Sequence, residues 1–358
     1  MKALILAGEE SGLHYARTIA SALAARLAEE PVEVRGYADY GFETADLAVI
    51  GFWAVLKRLG YFLRVKRTLT RALDEWRPDV VCTVDYPGLN LALAAAARRR
   101  GIRTVHVVSP QVWAWRRGRI PKIERATDRL CCFFPFEPAL FRPGFATFVG
   151  HPLAAEFASL ARTRSGDGRP LVALLPGSRH SEIERILPTL LAAAELLPTA
   201  RFVIPAANER AHRQIAAMIA GRQDIELRRG GARELLLAAD AAAVASGTAT
   251  LEAALSLCPT VLVYRVAPLT AWLARRLIKG VRHLGLANIV WEKSGGTGVA
   301  PMPELLQEDF TAAAVAAQLK AWLDDASAHA AAVARLEAVV GKLSAVGDPI
   351  GNIVDNLL

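Results

Sequence analysis

Short apolar runs alternate with amphipathic stretches along most of this chain. Strand-like runs occur at Lys2–Ala7, Val32–Gly36, Val80–Val84, Thr104–Val108, Arg129–Phe133 and Thr147–Val149. Helical periodicity fills several gaps, at Gly12–Glu29, Lys57–Trp76 and Gly88–Arg100. Apolar runs bounded by turns and separated by amphipathic helices predict a parallel sheet with both faces covered. The stretch Ala161–Pro170 is polar, contains glycine and interrupts the pattern as a linker would. The alternation then resumes with strands at Leu171–Leu175, Arg201–Pro205, Ile225–Arg228, Ala241–Ala245 and Thr260–Tyr264. A glycine-rich loop follows at Ser294–Gly298, and Ala-rich helices from about Phe310 close the chain. A chain of 358 residues suggests about two domains. The expected division is 1–160, 170–325 and a helical tail at 326–358 that could cross back to the first domain.

Two junctions between strand and helix carry the strongest chemical signal. One is Leu174–Glu182, with Gly177, Ser178 and Arg179 in its turn; the other is Ala245–Glu252, with Ser246, Gly247 and Thr248. A helix N-terminus presents unpaired N–H groups and partial positive charge, and glycine lets an anion approach the backbone. Arg179 adds a guanidinium for a phosphate oxygen. Glu252, read in the first turn of its helix, could accept bonds from ribose hydroxyls. Ordinary turns of a parallel-sheet protein are the competing reading, but two such turns in one half favour a nucleotide diphosphate.

In the first half, Asp85 follows the apolar run Val80–Val84, where open sheets place active-site groups. A carboxylate there could take a proton from a sugar hydroxyl, or it could simply cap the turn before Pro87. Ser109, Trp113, Trp115 and Arg116 form a dense segment suited to stacking on a sugar or acyl chain, or to a packed wall. Gly8–Gly12, with Ser11 and Gly12, is a further candidate pocket loop. It lacks the G-x-G-x-x-G spacing, which argues against a dinucleotide dehydrogenase. No metal is expected, because the histidines lack ligand spacing and no D-x-D-type acidic pair occurs.

Composition narrows the class. At 53% hydrophobic, the chain can build a large core, yet it contains no long uncharged apolar run of membrane-spanning length. Its four cysteines lack zinc-like spacing and read as buried thiols, consistent with a cytoplasmic protein. The balance of 43 basic against 35 acidic residues gives +8, which suits phosphorylated or anionic partners. Nucleic acid is disfavoured by the scatter of these charges and the lack of a binding motif. The cations do cluster among large apolar residues at Ile50–Arg67. Phe52, Trp53, Lys57, Arg58 and Phe62 there could contact an anionic membrane surface, or belong to a core helix with a basic outer face.

The segments Val107–Arg116, Phe134–Glu137 and Phe148–Leu153 resemble those of the lipid-A-disaccharide synthases. The likeness continues through Leu174–Arg179, Ala245–Glu252 and Pro303–Gln307, and spans nearly the whole chain. The resemblance implies an α/β protein of GT-B architecture, two Rossmann-like doubly wound domains facing a central cleft. It implies an inverting glycosyltransferase that joins UDP-2,3-diacylglucosamine to 2,3-diacylglucosamine 1-phosphate, giving the β-1,6 disaccharide 1-phosphate and UDP without a cofactor. It casts Asp85 as general base, Arg179 and Asn288 as active-site residues, and Glu252 as the ribose-binding acid. Ser246, Gly247 and Thr248 take the diphosphate loop, and Gln307 joins Gly177 and Ser178 on the donor side. Ser11, Gly12, Ser109, Trp113, Trp115 and Arg116 fall on the acceptor side. The implied location is the cytoplasmic face of the inner membrane, as a monomer or homodimer. Leu13 replaces an acid usual in the family, the segment Gly36–Gly41 is short, Ala287 replaces the proline usual before Asn288, and Trp291–Ala300 reads as an insertion. A UDP-N-acetylglucosamine 2-epimerase-like enzyme and a non-catalytic paralogue that binds nucleotide sugar or lipid are the alternatives.

Overall fold

The computed structural model describes residues 1–47, 58–115, 117–163, 168–267 and 280–358. They form two compact units: Met1–Pro152 with Ala345–Leu358, and Leu153–Ser344.

The first unit is built on six parallel strands: β1 (Lys2–Ala7), β2 (Glu33–Arg35), β3 (Val80–Val84), β4 (Arg103–Val107), β5 (Arg129–Cys132) and β6 (Ala146–Phe148). Their order across the sheet is β2-β1-β3-β4-β5-β6. The chain runs outward in one direction from β1 and in the other from β3, so the connection reverses between them, where open α/β sheets bind ligands. Strand periodicity divides β1 between two cores. Ala3, Ile5 and Ala7 pack with Ile19 and Leu23 of α1 (Glu10–Arg26), whereas Leu4 and Leu6 pack with Leu69 and Leu73 of α3 (Leu59–Glu75). A short helix, α2 (Thr44–Leu47), precedes α3, and α4 (Asn90–Arg98) and α5 (Ile120–Ala126) follow it. The four cysteines are buried free thiols. Burial pushes the Cys131 and Cys258 thiols up to about 12, so they are inert.

The last helix, Pro349–Leu357, belongs to this first unit. Asp348 caps it by accepting the Ile350 N–H at 3.0 Å. Ile353, Val354 and Leu357 enter the α1 side of the core, and Asp355 pairs with Arg26 at 3.0 Å. Asn352 Nδ2 donates to the Val149 carbonyl at 3.1 Å.

The second unit repeats the plan with β7 (Leu171–Leu175), β8 (Arg201–Ala206), β9 (Ile225–Arg229), β10 (Ala241–Ala245), β11 (Thr260–Tyr264) and β12 (Glu304–Leu306). All pairings are parallel, in the order β12-β11-β10-β7-β8-β9. Strands β7 and β10 are buried along their full length, which matches their unbroken apolar sequences. They lie side by side, with Val244 opposite Leu175, so the turns that follow them are neighbours. β12 is a three-residue edge strand with every residue half-buried; its Glu-Leu-Leu sequence shows neither alternation nor a long apolar run, and periodicity does not reveal it.

Candidate active site

In the first unit the site begins with a strained corner after β3. Asp85 and Tyr86 both take left-handed backbone, φ 49° and 50°, and Val108 after β4 does the same at 72°. Such conformations cost non-glycine residues about 1–3 kcal/mol each and need external support. Asn90, fully buried at the start of α4, supplies it. Its Nδ2 donates to the carbonyls of Leu6 (3.2 Å), Val84 (3.0 Å) and Asp85 (2.8 Å), while its Oδ1 accepts the Tyr37 hydroxyl at 2.6 Å. Gly8 packs directly on the Tyr86 ring, where an added Cβ would sit 2.4 Å from ring carbon. The half-buried Asp85 carboxylate accepts the Tyr86 N–H at 2.7 Å, yet burial still raises its pKa above the ordinary aspartate range. Glu9 is raised too, first by burial and then by the nearby Asp85 charge. A carboxylate made more basic than usual, beside a second acid, suits proton abstraction.

Next along the sheet edge stands an aromatic wall. Trp113 is buried, its indole N–H donates to Glu137 Oε1 at 3.1 Å, and Phe134 N donates to the other carboxyl oxygen at 3.2 Å. Burial pushes the Glu137 carboxyl up to about 8 despite these donors and the Ser109 hydroxyl. Phe134 and Phe136 stack at 5.8 Å, and His151, held near 4 by burial, packs on Phe133 and Phe134. The two tryptophans therefore separate: Trp113 is a core ring whose polar atom is spent, and Trp115 is 47% exposed. Ser109 is buried, and Gly12 packs against Ala7 and Val84. Ser11 lies in the first turn of α1. Arg116, Phe52, Trp53 and Lys57 lie outside the described residues. Arg58 bonds the Asp46 carbonyl at 2.7 Å, and Phe62 is half-buried against the core. The exposed apolar side chains of α3 are instead Leu59 and Leu63.

In the second unit, two turns lie next to each other at the ends of β7 and β10. Gly177 has φ 101°, and an added Cβ would lie 2.6 Å from Glu182 Oε2, so only glycine fits. Arg179 precedes α7 (His180–Glu195), and Glu182 accepts its backbone N–H at 3.3 Å and its guanidinium at 2.9 Å. The Arg179 side chain is 71% exposed, whereas that of Glu182 is 12% exposed, so the acid positions the cation and leaves most of it available. Ser178 is exposed beside it. At the second turn Gly247 has φ 151°, accessible only to glycine, and the exposed Thr248 opens α10 (Thr248–Leu255). The Thr250 hydroxyl bonds the Gly247 carbonyl at 2.8 Å, and Ser246 Oγ faces the Leu284 carbonyl at 3.5 Å. Glu252 is the fifth residue of α10, just past the first turn in which it was expected, and burial raises its pKa.

Gln307 follows β12 with φ 52°. Its carbonyl accepts Arg265 Nη2 at 3.3 Å, and the Arg265 guanidinium lies over Phe310 at 4.8 Å. Asn288 differs from the expectation for a substrate-facing residue. It is fully buried in α11 (Leu286–Lys293); its Nδ2 donates to Met302 O and Glu304 Oε1, both at 2.8 Å, and its Oδ1 accepts Met302 N at 2.9 Å. Glu304 also accepts the N–H groups of Leu284 and Gly285. Asn288 and Glu304 thus fix the entry to α11 against β12, and both N–H donors of the Asn288 amide are spent within the protein.

The family model for lipid-A-disaccharide synthetase matches residues 3–345. The chain is 39% identical to the lipid-A-disaccharide synthase of Anaeromyxobacter dehalogenans, covering 97% of this chain and 94% of the relative. It is 40% identical to that of Chromohalobacter salexigens over 84% of this chain and 80% of the relative. The chain belongs to the lipid-A-disaccharide synthase family.

Members of this family are hexosyltransferases of lipid A biosynthesis, and the fold agrees. A glycosyltransferase of kitacinnamycin matches with TM-score 0.63 at 15% identity, covering 99% of this chain and 97% of that one. The UDP-GlcNAc 2-epimerase from Neisseria meningitidis, solved with UDP-GlcNAc, matches with TM-score 0.58 at 12% identity, covering 100% and 99%. At these identities the likeness shows the shared fold alone: two doubly wound Rossmann-like units of the GT-B type. Among residues not foreseen from the sequence, Asn90, Glu137, Glu182 and Glu304 each hold a predicted site segment in place. A glutamate at the third position of its helix, able to accept the backbone N–H before it, was a partial signal for Glu182. Asn90 with Tyr37, and Glu137 with Trp113, join segments too far apart in sequence for periodicity to reveal.

Proposed function

We propose that this protein transfers a diacylglucosaminyl group from UDP-2,3-diacylglucosamine to the 6-hydroxyl of 2,3-diacylglucosamine 1-phosphate, with inversion. Asp85 takes the hydroxyl proton as the acceptor oxygen bonds the donor's anomeric carbon. The anomeric carbon–phosphate oxygen bond breaks, and its electron pair leaves with UDP. The Gly177–Arg179 and Ser246–Thr248 turns stabilise the departing diphosphate through backbone N–H groups and the Arg179 guanidinium, and Glu252 serves the ribose. Glu182 holds Arg179, while Asn288 positions the neighbouring backbone without touching substrate.

The observation that best supports this reading is the half-buried, basicity-enhanced Asp85 on a corner that Asn90 holds in strained backbone. Family membership supplies the substrate class. Among the described residues no helix is long and apolar enough to cross a membrane. We assign access to lipid substrates to the exposed Leu59 and Leu63 and the neighbouring cations Arg58, Arg64, Lys66 and Arg67, acting at an anionic inner-leaflet surface. The test is to incubate purified protein with the UDP-diacyl donor and the acylated glucosamine 1-phosphate, then identify the product by mass. A tetraacyl disaccharide monophosphate with stoichiometric UDP supports the reading. UDP release independent of the acceptor overturns it.

A further inference from the structure

A groove of about 590 Å³ opens on the first unit, one strand away from the Asp85 corner. Its floor is Ile5 and Ala7 of β1; α1 forms one wall through Leu13, Ala16 and Ala20, and Phe42 stands on the other side. Leu13, Ala16 and Ala20 recur at helical spacing and share one face of α1. Two of them are alanines, and β2 is only three residues long, so no side chain fills the space between helix and strand end. The floor residue Ala7 pairs with Val84 in the neighbouring strand, next to the acid. Gly12, next to Leu13, has its Cβ position 3.5 Å from Ala7 Cβ and 3.6 Å from the Val84 carbonyl, which immediately precedes Asp85.

Of the charged side chains at the rim, Asp39 and Arg35 are engaged, whereas Glu43, like Arg17, is exposed. Asp39 accepts the Gly36 N–H at 2.7 Å, and Arg35 pairs with Glu33 at 2.7 Å while its guanidinium lies over Trp76. Arg17 is exposed at the mouth. A sugar placed inside would leave hydroxyls unpaired against Ile5, Ala7 and Leu13, at a cost that a hydrocarbon avoids.

We propose that this groove takes one fatty acyl chain of the acceptor, anchoring the glucosamine so that its reacting hydroxyl lies at Asp85. The assignment rests on the transferase reading and names a subsite of that reaction. Leu13, Ala16 and Ala20 then determine acyl specificity.

The experiment measures kcat/KM in mixed micelles with acceptors whose acyl chains shorten by two carbons at a time, the donor being held constant. For the wild type, each methylene withdrawn from the groove should lower kcat/KM about fourfold, the equivalent of ~0.8 kcal/mol. Ala20→Phe fills the groove, so its long-chain value should fall to meet its short-chain value and the dependence should flatten. Leu13→Asn, which adds polarity without bulk, should flatten it as well and serves if the first variant does not fold. Dependence on donor chain length should remain as in the wild type. A flat wild-type dependence with product formed overturns the groove assignment alone, as does full steepness in both variants or a flattening confined to the donor series. No product from any acceptor overturns the transferase reading and the groove with it.

Discussion

Replacing Asn90 by leucine separates support of the Asp85 corner from ordinary packing, because the two side chains are similar in size. The substitution removes four hydrogen bonds, at 2.6, 2.8, 3.0 and 3.2 Å. Leu6 and Val84 lie in paired strands and keep their place in the ladder. The Tyr37 hydroxyl and the Asp85 carbonyl bear most of the loss. Two buried groups left unpaired cost about 1–3 kcal/mol each, and the buried leucine returns roughly 1 kcal/mol, so the net destabilisation is about 1–5 kcal/mol. With a urea m-value of roughly 2 kcal/mol/M, the midpoint followed by tryptophan fluorescence should fall by about 0.5–2.5 M. The left-handed backbone at Asp85 and Tyr86 then relaxes and moves the carboxylate, so kcat should drop at least about 100-fold with donor KM little changed. A folded variant with kcat within about threefold of wild type and an unchanged midpoint would show that Asn90 does not hold the corner.

Three further outcomes follow from the same geometry. Arg179→Ala removes a charge-assisted contact worth about 1.5–3 kcal/mol to a phosphate, so kcat/KM should fall about 10- to 150-fold with weaker UDP binding in calorimetry; unchanged UDP affinity would contradict it. Glu137 has a folded pKa of about 8 against 4.5 unfolded, so the native state binds more protons between these values and stability declines as pH rises through that window. Glu137→Gln should remove a slope of about 1.4 kcal/mol per pH unit, read by denaturation at pH 5, 6, 7 and 8; identical slopes in both proteins would refute this. Leu59→Ser with Leu63→Ser should reduce binding to anionic vesicles at least about tenfold while activity on detergent-dispersed substrate persists, and unaltered vesicle binding would place the membrane contact elsewhere.

Much of the architecture was legible because parallel strands buried on both faces leave unbroken apolar runs. The runs Lys2–Ala7, Val80–Val84, Leu171–Leu175, Ala241–Ala245 and Thr260–Tyr264 coincide with strands. β12 escaped because a three-residue edge strand has no room for a period. In the candidate site, what was legible is position in the fold: Asp85 at a strand end and Gly177 and Gly247 at turns with left-handed or glycine-only backbone. It was not legible where pairing decides. Nothing local tells that Trp113 spends its indole on Glu137 or that Asn288 spends its amide on Met302 and Glu304. Family likeness drew attention to both residues, and both are buried with their side-chain N–H groups bonded within the protein.

The central claim is tested most directly by Asp85→Asn, assayed for the disaccharide by mass with donor binding measured in parallel. The burial that raises the Asp85 pKa makes ionisation costly to the folded state, so at neutral pH the amide should be at least as stable as the acid. The account predicts a folded protein that binds UDP as the wild type does and forms disaccharide at least about a thousandfold more slowly. Disaccharide formation at near wild-type rate by that folded variant would contradict it.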